Sequence, residues 1–356
     1  MEKKILLFID SLGGGGAQRQ LVNLALLLKQ EGLNVSVATY FDKPFYSNLL
    51  STNNIHYEII QNARRSFTRI YYVYKYIKKN DFRYVIAYQD TPSLIACITK
   101  LLGCHIHLVV SERNTTQIIN FKTRLKFNLY RVANYVVPNS YTQNTFIIKY
   151  FNYLEPKLRL ITNFIDTEHF HPVERTERGL LKIICVARLY PQKNAIRFVE
   201  AVKVAKSRGV KFRVDWYGFK AKDYQLAQKK IERFHLSDYI QFHDPTPNVF
   251  EKYCDADVFC LPSLYEGFPN VLCEAMSCGL PVLFSNVCDN PLIAKDGING
   301  YSFNPTNVEE MADAIVKMVS LSYEERIEMG RQSRFLIEKN FSKQKFIDKY
   351  KHLLEN

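Results

Sequence analysis

The sequence predicts an α/β protein built as two doubly wound domains in tandem, and three observations carry that expectation. Short apolar runs that read as strands alternate with stretches of helical periodicity along the chain. The alternation stops at a polar, aperiodic stretch, 171–179, and then restarts. A glycine-rich loop, SLGGGGAQ, follows the first apolar run, where a parallel sheet hands its chain to a helix. A length of 356 residues suits roughly two domains.

In order, KILLFID (4–10) is a buried strand. RQLVNLALLLKQEG (19–32) is a helix closed by Gly32, and NVSVATYF (34–41) a second strand. YVIAYQD, the helix SLIACITKLLG, IHLVVSE with His105 and His107 inside the strand, a helix over 121–134 and YVVPNS continue the pattern, and RLITNFID (159–166) reads as another strand. After the linker come the strands LKIICVAR, KFRVDWYG, YIQFHD, DVFCLPS and PVLFSN. The helices between them are AIRFVEAVKVAKSRG, DYQLAQKKIERFHL, NVFEKYCDA and NVLCEAMSCG, followed by NVEEMADAIVKMV and a tail, 322–356, that reads as helical throughout. The domains are therefore expected at 1–170 and 180–340, with a closing helix at 341–356. Both are Rossmann-like, and ligands of such sheets sit beyond the carboxyl ends of the strands. Two of them facing across a cleft would bind between them.

Hydrophobic residues make up 47% and charged residues 23%, a globular composition that argues against disorder. No apolar run approaches the roughly 20 residues of a membrane helix. The start MEKKILLFID is too short for a signal peptide, so a cytoplasmic location is expected. The eight cysteines form no C-x-x-C pair and read as buried thiols. The net charge of +13 is concentrated in 59–150, which hold 14 basic and 3 acidic residues, so a polyanion or an anionic membrane faces that half.

The stretch LPSLYEGFPNVLCEAMSCGLPV places Glu266 and Glu274 eight positions apart in an apolar, Gly- and Pro-punctuated context. Glu266 lies in the loop after a strand, and Glu274 one turn inside the next helix. The N–H groups of 267–272 should point out of that helix start, where an anion is favoured. Two carboxylates flanking an amide nest suit a ligand with hydroxyls at both ends and phosphate between them, as in a nucleotide-sugar. The plainer alternative is a helix-dipole carboxylate and a satisfied core carboxylate. ARLYPQKN (187–194) follows the first strand of the same domain, and its Arg188 and Lys193 offer a fork donor and a point charge for a diphosphate. Asn194 is a plausible N-cap.

Together R-x4-K, EGFPNVLCEAMSCGLPV, DGINGYSF and ITNFIDTEHFHP, with SLGGGGAQRQ near the start, resemble the retaining glycosyltransferases of family 4, over residues 1 to about 350. The resemblance implies a GT-B fold, with the donor in the C-terminal domain, the acceptor in the N-terminal one and a final helix crossing back. It implies that Arg188 and Lys193 hold the donor diphosphate, and that Glu266 binds sugar hydroxyls beside the backbone of Gly267, Phe268, Pro269, Asn270 and Val271. Glu274 would take the ribose hydroxyls, with Gly218 near the base and Gly14, Gly15 and Gly16 near the phosphates or the acceptor. Where many members carry a His, this chain has SERN, so Glu112 and Arg113, with Asn163, are candidates for the acceptor side. Phe164 stands where the family motif has Gly. EGFPN resembles members that use UDP-sugars.

The expected reaction moves a hexose or N-acetylhexosamine from a nucleotide-sugar, UDP favoured, to a sugar acceptor carried on lipid, in bacterial-type surface polysaccharide synthesis. No cofactor is expected. Rival readings are a sugar-nucleotide epimerase of the same fold, a nucleic-acid-binding protein, a non-catalytic binder and an NAD-dependent dehydrogenase. The last is weak because Gln18 breaks G-x-G-x-x-G. The basic, Tyr-rich stretches 62–83 and 121–131 suit an anionic membrane at the inner face, while nucleic acid or a solvated helix face remain alternatives. Asp255-Ala-Asp257 matches a metal-binding pattern of another transferase fold but sits where cap and strand-start roles are expected, so no metal site is assigned. Full transfer activity in excess EDTA is the expected outcome, and a metal-dependent rate would overturn that reading.

Overall fold

The computed structural model describes residues 4–116, 118–177 and 179–355. By contacts the chain divides into two units, residues 1–163 with 344–356, and residues 164–343.

The first unit holds a sheet of β1 (Lys4–Phe8), β2 (Asn34–Thr39), β3 (His56–Ile59), β4 (Tyr84–Tyr88), β5 (His107–Glu112) and β6 (Tyr135–Pro138). The second holds β7 (Leu181–Val186), β8 (Phe212–Tyr217), β9 (Ile240–His243), β10 (Val258–Leu261), β11 (Val282–Ser285) and β12 (Gly300–Phe303). The strand orders are β3-β2-β1-β4-β5-β6 and β12-β11-β10-β7-β8-β9, and every pairing is parallel. Parallel sheets carry helices on both faces, so their central strands read as continuous apolar runs; β4, β10 and β11 are buried at every position. In each sheet the chain lays down three strands one way and then returns to the middle. The reversal falls between β1 and β4 in the first sheet and between β7 and β10 in the second. A crevice opens at such a switch point because the two loops leave the sheet in opposite directions.

The sequence reading differs from the structure in several places. Four-residue β3 and β12 went unread as strands, because half-exposed edge strands carry little apolar signal. The run 159–166 is not a strand. It follows β6 for two hydrogen bonds, Arg159 N to Val136 O and Ile161 N to Pro138 O, and then leaves the sheet. His105 lies before β5, not inside it. The first helix begins at Gly16 rather than at Arg19, since the Gly15 carbonyl already accepts from the Arg19 amide. The helix read over 121–134 stops at Leu129 and tightens into a 3₁₀ turn over Tyr130–Val132. The tail is two helices, Tyr323–Asn340 and Lys343–Glu355. They part at Phe341, whose ring is buried against Phe268 and whose carbonyl accepts from Ile165 N. The last helix belongs to the first unit, where the Tyr350 hydroxyl lies 3.0 Å from that of Tyr88.

Gly218, at the end of β8, shows how tightly these strand ends approach. A Cβ there would lie 2.0 Å from the Ala187 carbonyl oxygen, which also accepts from the Trp216 indole at 2.8 Å. That oxygen is backbone and cannot step aside. Gly218→Ala is expected to lower the stability of the second unit by roughly 1–3 kcal/mol. Chemical denaturation followed by the fluorescence of Trp216, the sole tryptophan, reads this out, and unchanged stability would contradict it.

Candidate functional site at the second switch point

Two loops leave the carboxyl ends of the adjacent strands β7 and β10, and four polar contacts stitch them together. The Leu264 amide donates to the Gln192 carbonyl at 2.8 Å, and the Gln192 side-chain amide donates to the Tyr265 carbonyl at 2.8 Å. Asn194 Nδ2 donates to Pro262 O at 3.1 Å and to Pro305 O at 2.7 Å. Lys193 Nζ meets Glu266 Oε1 at 2.5 Å. Local sequence explains the geometry. Pro191 opens a single 3₁₀ turn over Pro191–Lys193, and Asn194 ends it in the left-handed region at φ 61°, a conformation Asn tolerates better than most residues. Asn194 does stand at the N-cap of the helix Ala195–Ser207, as expected. Its side chain makes no cap hydrogen bond and instead bridges the loops after β7, β10 and β12.

The Lys193–Glu266 pair is largely buried, with side-chain exposures of 16% and 8%. A charge removed from water needs a partner, and here each supplies the other's. Arg188 is exposed on the same turn, its guanidinium 5.8 Å from the centre of the Tyr190 ring. The helix Asn270–Ser277 follows at once, with Phe268 and Pro269 buried and Gly267, Asn270 and Val271 half-buried at its mouth. The expectation that all amides of 267–272 stay open is corrected. Asn270 N is taken by Phe268 O and Leu272 N by Pro269 O, leaving Gly267, Phe268 and Val271 without a backbone acceptor among the described residues. Glu274, one turn into the helix, is 2% exposed, and the Tyr253 hydroxyl donates to its Oε2 at 3.4 Å.

On the other side of β7, the rings of Tyr217 and His243 stack at 4.7 Å and 19°, at the ends of β8 and β9. His243 Nε2 lies 2.7 Å from Asp215 Oδ1. The sequence singled out the dipeptides around these rings but not the stack or its carboxylate. The i, i+2 spacing of Asp215 and Tyr217 on one strand was the available signal. Gln192 went unread, because a loop glutamine carries no pattern.

Of the remaining candidates, all in the first unit, Gly14 and Gly15 lie in the loop after β1 and Gly16 opens the helix that follows it. Glu112 does not suit the acceptor side. It is wholly buried, and its oxygens are filled by Lys126 Nζ at 2.8 Å, Tyr130 Oη at 2.6 Å and Gln143 Nε2 at 3.3 Å. Burial pushes its carboxyl above the ordinary range, against the pull of Lys126. Lys126, inside the basic stretch 121–131, is thereby an internal counter-ion rather than part of a cationic face. Arg113 and Asn163 are joined at 2.8 Å and lie 9% and 4% exposed. Asp255 pairs with Lys182 Nζ at 2.8 Å, and Asp257 accepts from the Lys182 amide at 2.8 Å, which are cap and strand-start roles.

Residues 166–356 match the family model described as glycosyl transferases group 1, and residues 14–169 match that of glycosyltransferase family 4. The chain belongs to the group 1 glycosyltransferases. A galactosyltransferase of Escherichia coli, named as acting from UDP-Gal on α-D-GlcNAc-diphosphoundecaprenol, is 28% identical over 56% of this chain and 55% of its own. A Campylobacter jejuni enzyme, an N-acetylgalactosaminyltransferase acting on N-acetylgalactosamine-N,N'-diacetylbacillosaminyl-diphospho-undecaprenol, is 26% identical over 79% of this chain and 80% of its own. HepE of Anabaena, solved with UDP and glucose, superposes with a TM-score of 0.85 at 19% identity, covering 99% of this chain and 100% of that one. The fold is thus that of the GT-B glycosyltransferases, with two Rossmann-like domains.

The stitch makes Asn194 a sensitive position in this transferase. Asn194→Ala removes the donor of two carbonyls and leaves alanine in a left-handed backbone. It is expected to cost about 2–4 kcal/mol, and Asn194→Gly less, since glycine relieves the backbone part. Measured by denaturation, equal losses in the two variants would contradict the backbone part, and an Asn194→Gly as stable as the parent would contradict the bridging role.

Proposed function

We propose that this glycosyltransferase is a retaining enzyme. It moves a hexose or N-acetylhexosamine from a UDP-sugar to a sugar carried on a lipid diphosphate, at the inner face of a membrane, in surface polysaccharide synthesis. The observation that carries the reading is the buried Lys193–Glu266 pair, set beside the exposed Arg188 and the mouth of the helix Asn270–Ser277, at the β7/β10 switch point. The names of the Escherichia coli and Campylobacter jejuni relatives support a diphospho-undecaprenol acceptor, and the former supports UDP.

The chemistry follows from the charges. A donor diphosphate brings two negative charges to Arg188 and Lys193. The Lys193 ammonium exchanges Glu266 for a phosphate oxygen, and the released carboxylate accepts hydrogen bonds from the sugar hydroxyls. The pair so keeps both groups satisfied before the donor arrives. As the glycosidic bond to the diphosphate breaks, negative charge grows on the leaving phosphate, and Arg188, Lys193 and the amides of Gly267, Phe268 and Val271 serve to stabilise it. The acceptor hydroxyl attacks on the face the diphosphate leaves, and its proton passes to a departing phosphate oxygen. Glu274 holds the ribose hydroxyls, and the Tyr217–His243 stack flanks the base. No step calls on a metal.

Among the described residues no helix is long and apolar enough to cross a membrane. Membrane contact is assigned instead to the loops at the carboxyl edge of the first sheet. There Phe45, Phe67, Ile118 and Phe121 are 71%, 100%, 70% and 78% exposed, among Lys43, Arg64, Arg65, Lys122 and Arg124. Apolar side chains ringed by cations suit an interface with anionic lipid.

Two measurements test the reading. Radiolabelled UDP- and GDP-sugars are offered with a membrane extract. Transfer of label into lipid is expected from a UDP-sugar, with Lys193→Ala folded but slower by several orders of magnitude. Epimerised free nucleotide-sugar without transfer, or near-normal turnover in Lys193→Ala, would overturn it. Co-sedimentation with phosphatidylglycerol vesicles is expected to fall with salt and with Phe67→Ser/Phe121→Ser. Binding unmoved by both would remove the membrane assignment.

A further inference from the structure

The first sheet has a switch point of its own, between β1 and β4, and the residues just past β4 and β5 hold an unmatched charge. Arg113 follows β5 directly. It is 9% exposed, yet its partners are all neutral: Asn163 Oδ1 at 2.8 Å, the Tyr350 hydroxyl at 2.7 Å and the face of the Tyr88 ring at 4.0 Å. Its Nε is buried and finds no acceptor, and among the described residues no carboxylate forms an ion pair with it. Burial holds the Tyr88 phenol well above its ordinary range, so Tyr88 supplies no counter-charge, and its hydroxyl lies 3.0 Å from that of Tyr350. The neighbouring acid, Glu112, is consumed by Lys126.

A buried guanidinium without an anion is costly, and the ring face and two hydrogen bonds offset only part of that cost. Contrast the second unit, where buried Lys193 has Glu266 beside it. A second irregularity sits at the same strand ends. Gln89, directly after Tyr88, has φ 73° and ψ 166°, a backbone region nearly confined to glycine and worth about 1–3 kcal/mol of strain. Its amide still pairs with Ser111 O at 3.1 Å, so the strain is held in place by the sheet. Strain and an unpaired charge at the carboxyl ends of a doubly wound sheet mark a ligand site whose ligand supplies the missing anion.

The geometry points to Arg113 as the receptor for a phosphate oxyanion of the acceptor, in the first unit. The inference rests on the proposed transferase reading, because the ligand class is that of a sugar on a lipid diphosphate. The donor diphosphate has its own cations in Arg188 and Lys193, so Arg113 serves the acceptor. The last helix takes part through Tyr350, whose hydroxyl fixes one edge of the guanidinium and leaves the remaining N–H groups for the ligand. Arg113 is a binding and positioning residue, which fixes where the acceptor sugar lies relative to its diphosphate.

Two arms test this. In the first, inorganic pyrophosphate is titrated calorimetrically into full-length Lys193→Ala, which lacks one donor-side cation. Salt-sensitive, saturable binding is expected, weakened at least tenfold by adding Arg113→Met and only partly by adding Arg113→Lys. Binding indifferent to both changes, or no binding at all, overturns the inference whether or not the chain transfers sugar. In the second arm, KM is measured for a short-chain isoprenyl-diphosphoryl sugar and for the octyl glycoside of the same sugar. Arg113→Met is expected to raise the first about 20-fold or more, leaving the second and the UDP-sugar KM within about twofold. An equal rise in the UDP-sugar KM would reassign Arg113 to the donor, and equal rises for both acceptors would make it structural. Should Arg113→Met fail to fold by circular dichroism, Arg113→Lys gives the same comparison, with an intermediate rise for the diphosphate acceptor expected and none contradicting it.

Discussion

The site of the second unit depends on one buried ion pair. Lys193 and Glu266 come from loops that follow different strands, 73 residues apart, and meet at 2.5 Å. Neither charge is stable alone at such low exposure, so each dictates where the other's loop must lie. The neutral contacts of Gln192 and Asn194 hold the same two loops without competing for the charges. The two loops are thus joined both by neutral hydrogen bonds and by one buried ion pair. Preorganised charge of this kind is worth most where water is excluded.

The first unit solves a related problem differently. Its buried carboxylate, Glu112, is filled by three internal donors and serves packing. Its buried guanidinium, Arg113, is filled by neutral groups and so stays electrostatically incomplete. Adjacent residues thus differ in whether their charge is matched, and the difference follows from what faces each one rather than from residue type. Tyr350 links this point to the helix Lys343–Glu355.

Much of the fold was legible because parallel strands buried on both faces leave unbroken apolar runs. β1, β7, β10 and β11 could hardly be read otherwise. Edge strands β3 and β12 lacked that signal, and 159–166 had the signal without the strand. There Ile161, Phe164 and Ile165 are buried although no strand forms. In the candidate site, Arg188, Lys193, Glu266 and Glu274 stood out because charges inside apolar, Gly- and Pro-marked loops are unusual. What no pattern carried was long-range. That Lys193 faces Glu266, that Asn194 bridges three loops, and that Glu112 is spent on Lys126 while Arg113 is not, depend on tertiary neighbours. A single sequence cannot place those.

The most direct test of the account is a crystal structure of the chain with a non-hydrolysable UDP-sugar, read at Lys193 Nζ. The account predicts a phosphate oxygen within about 3 Å of that nitrogen, and the Glu266 carboxylate turned to the sugar hydroxyls. A Lys193–Glu266 contact left intact, with the diphosphate bound elsewhere, would contradict it.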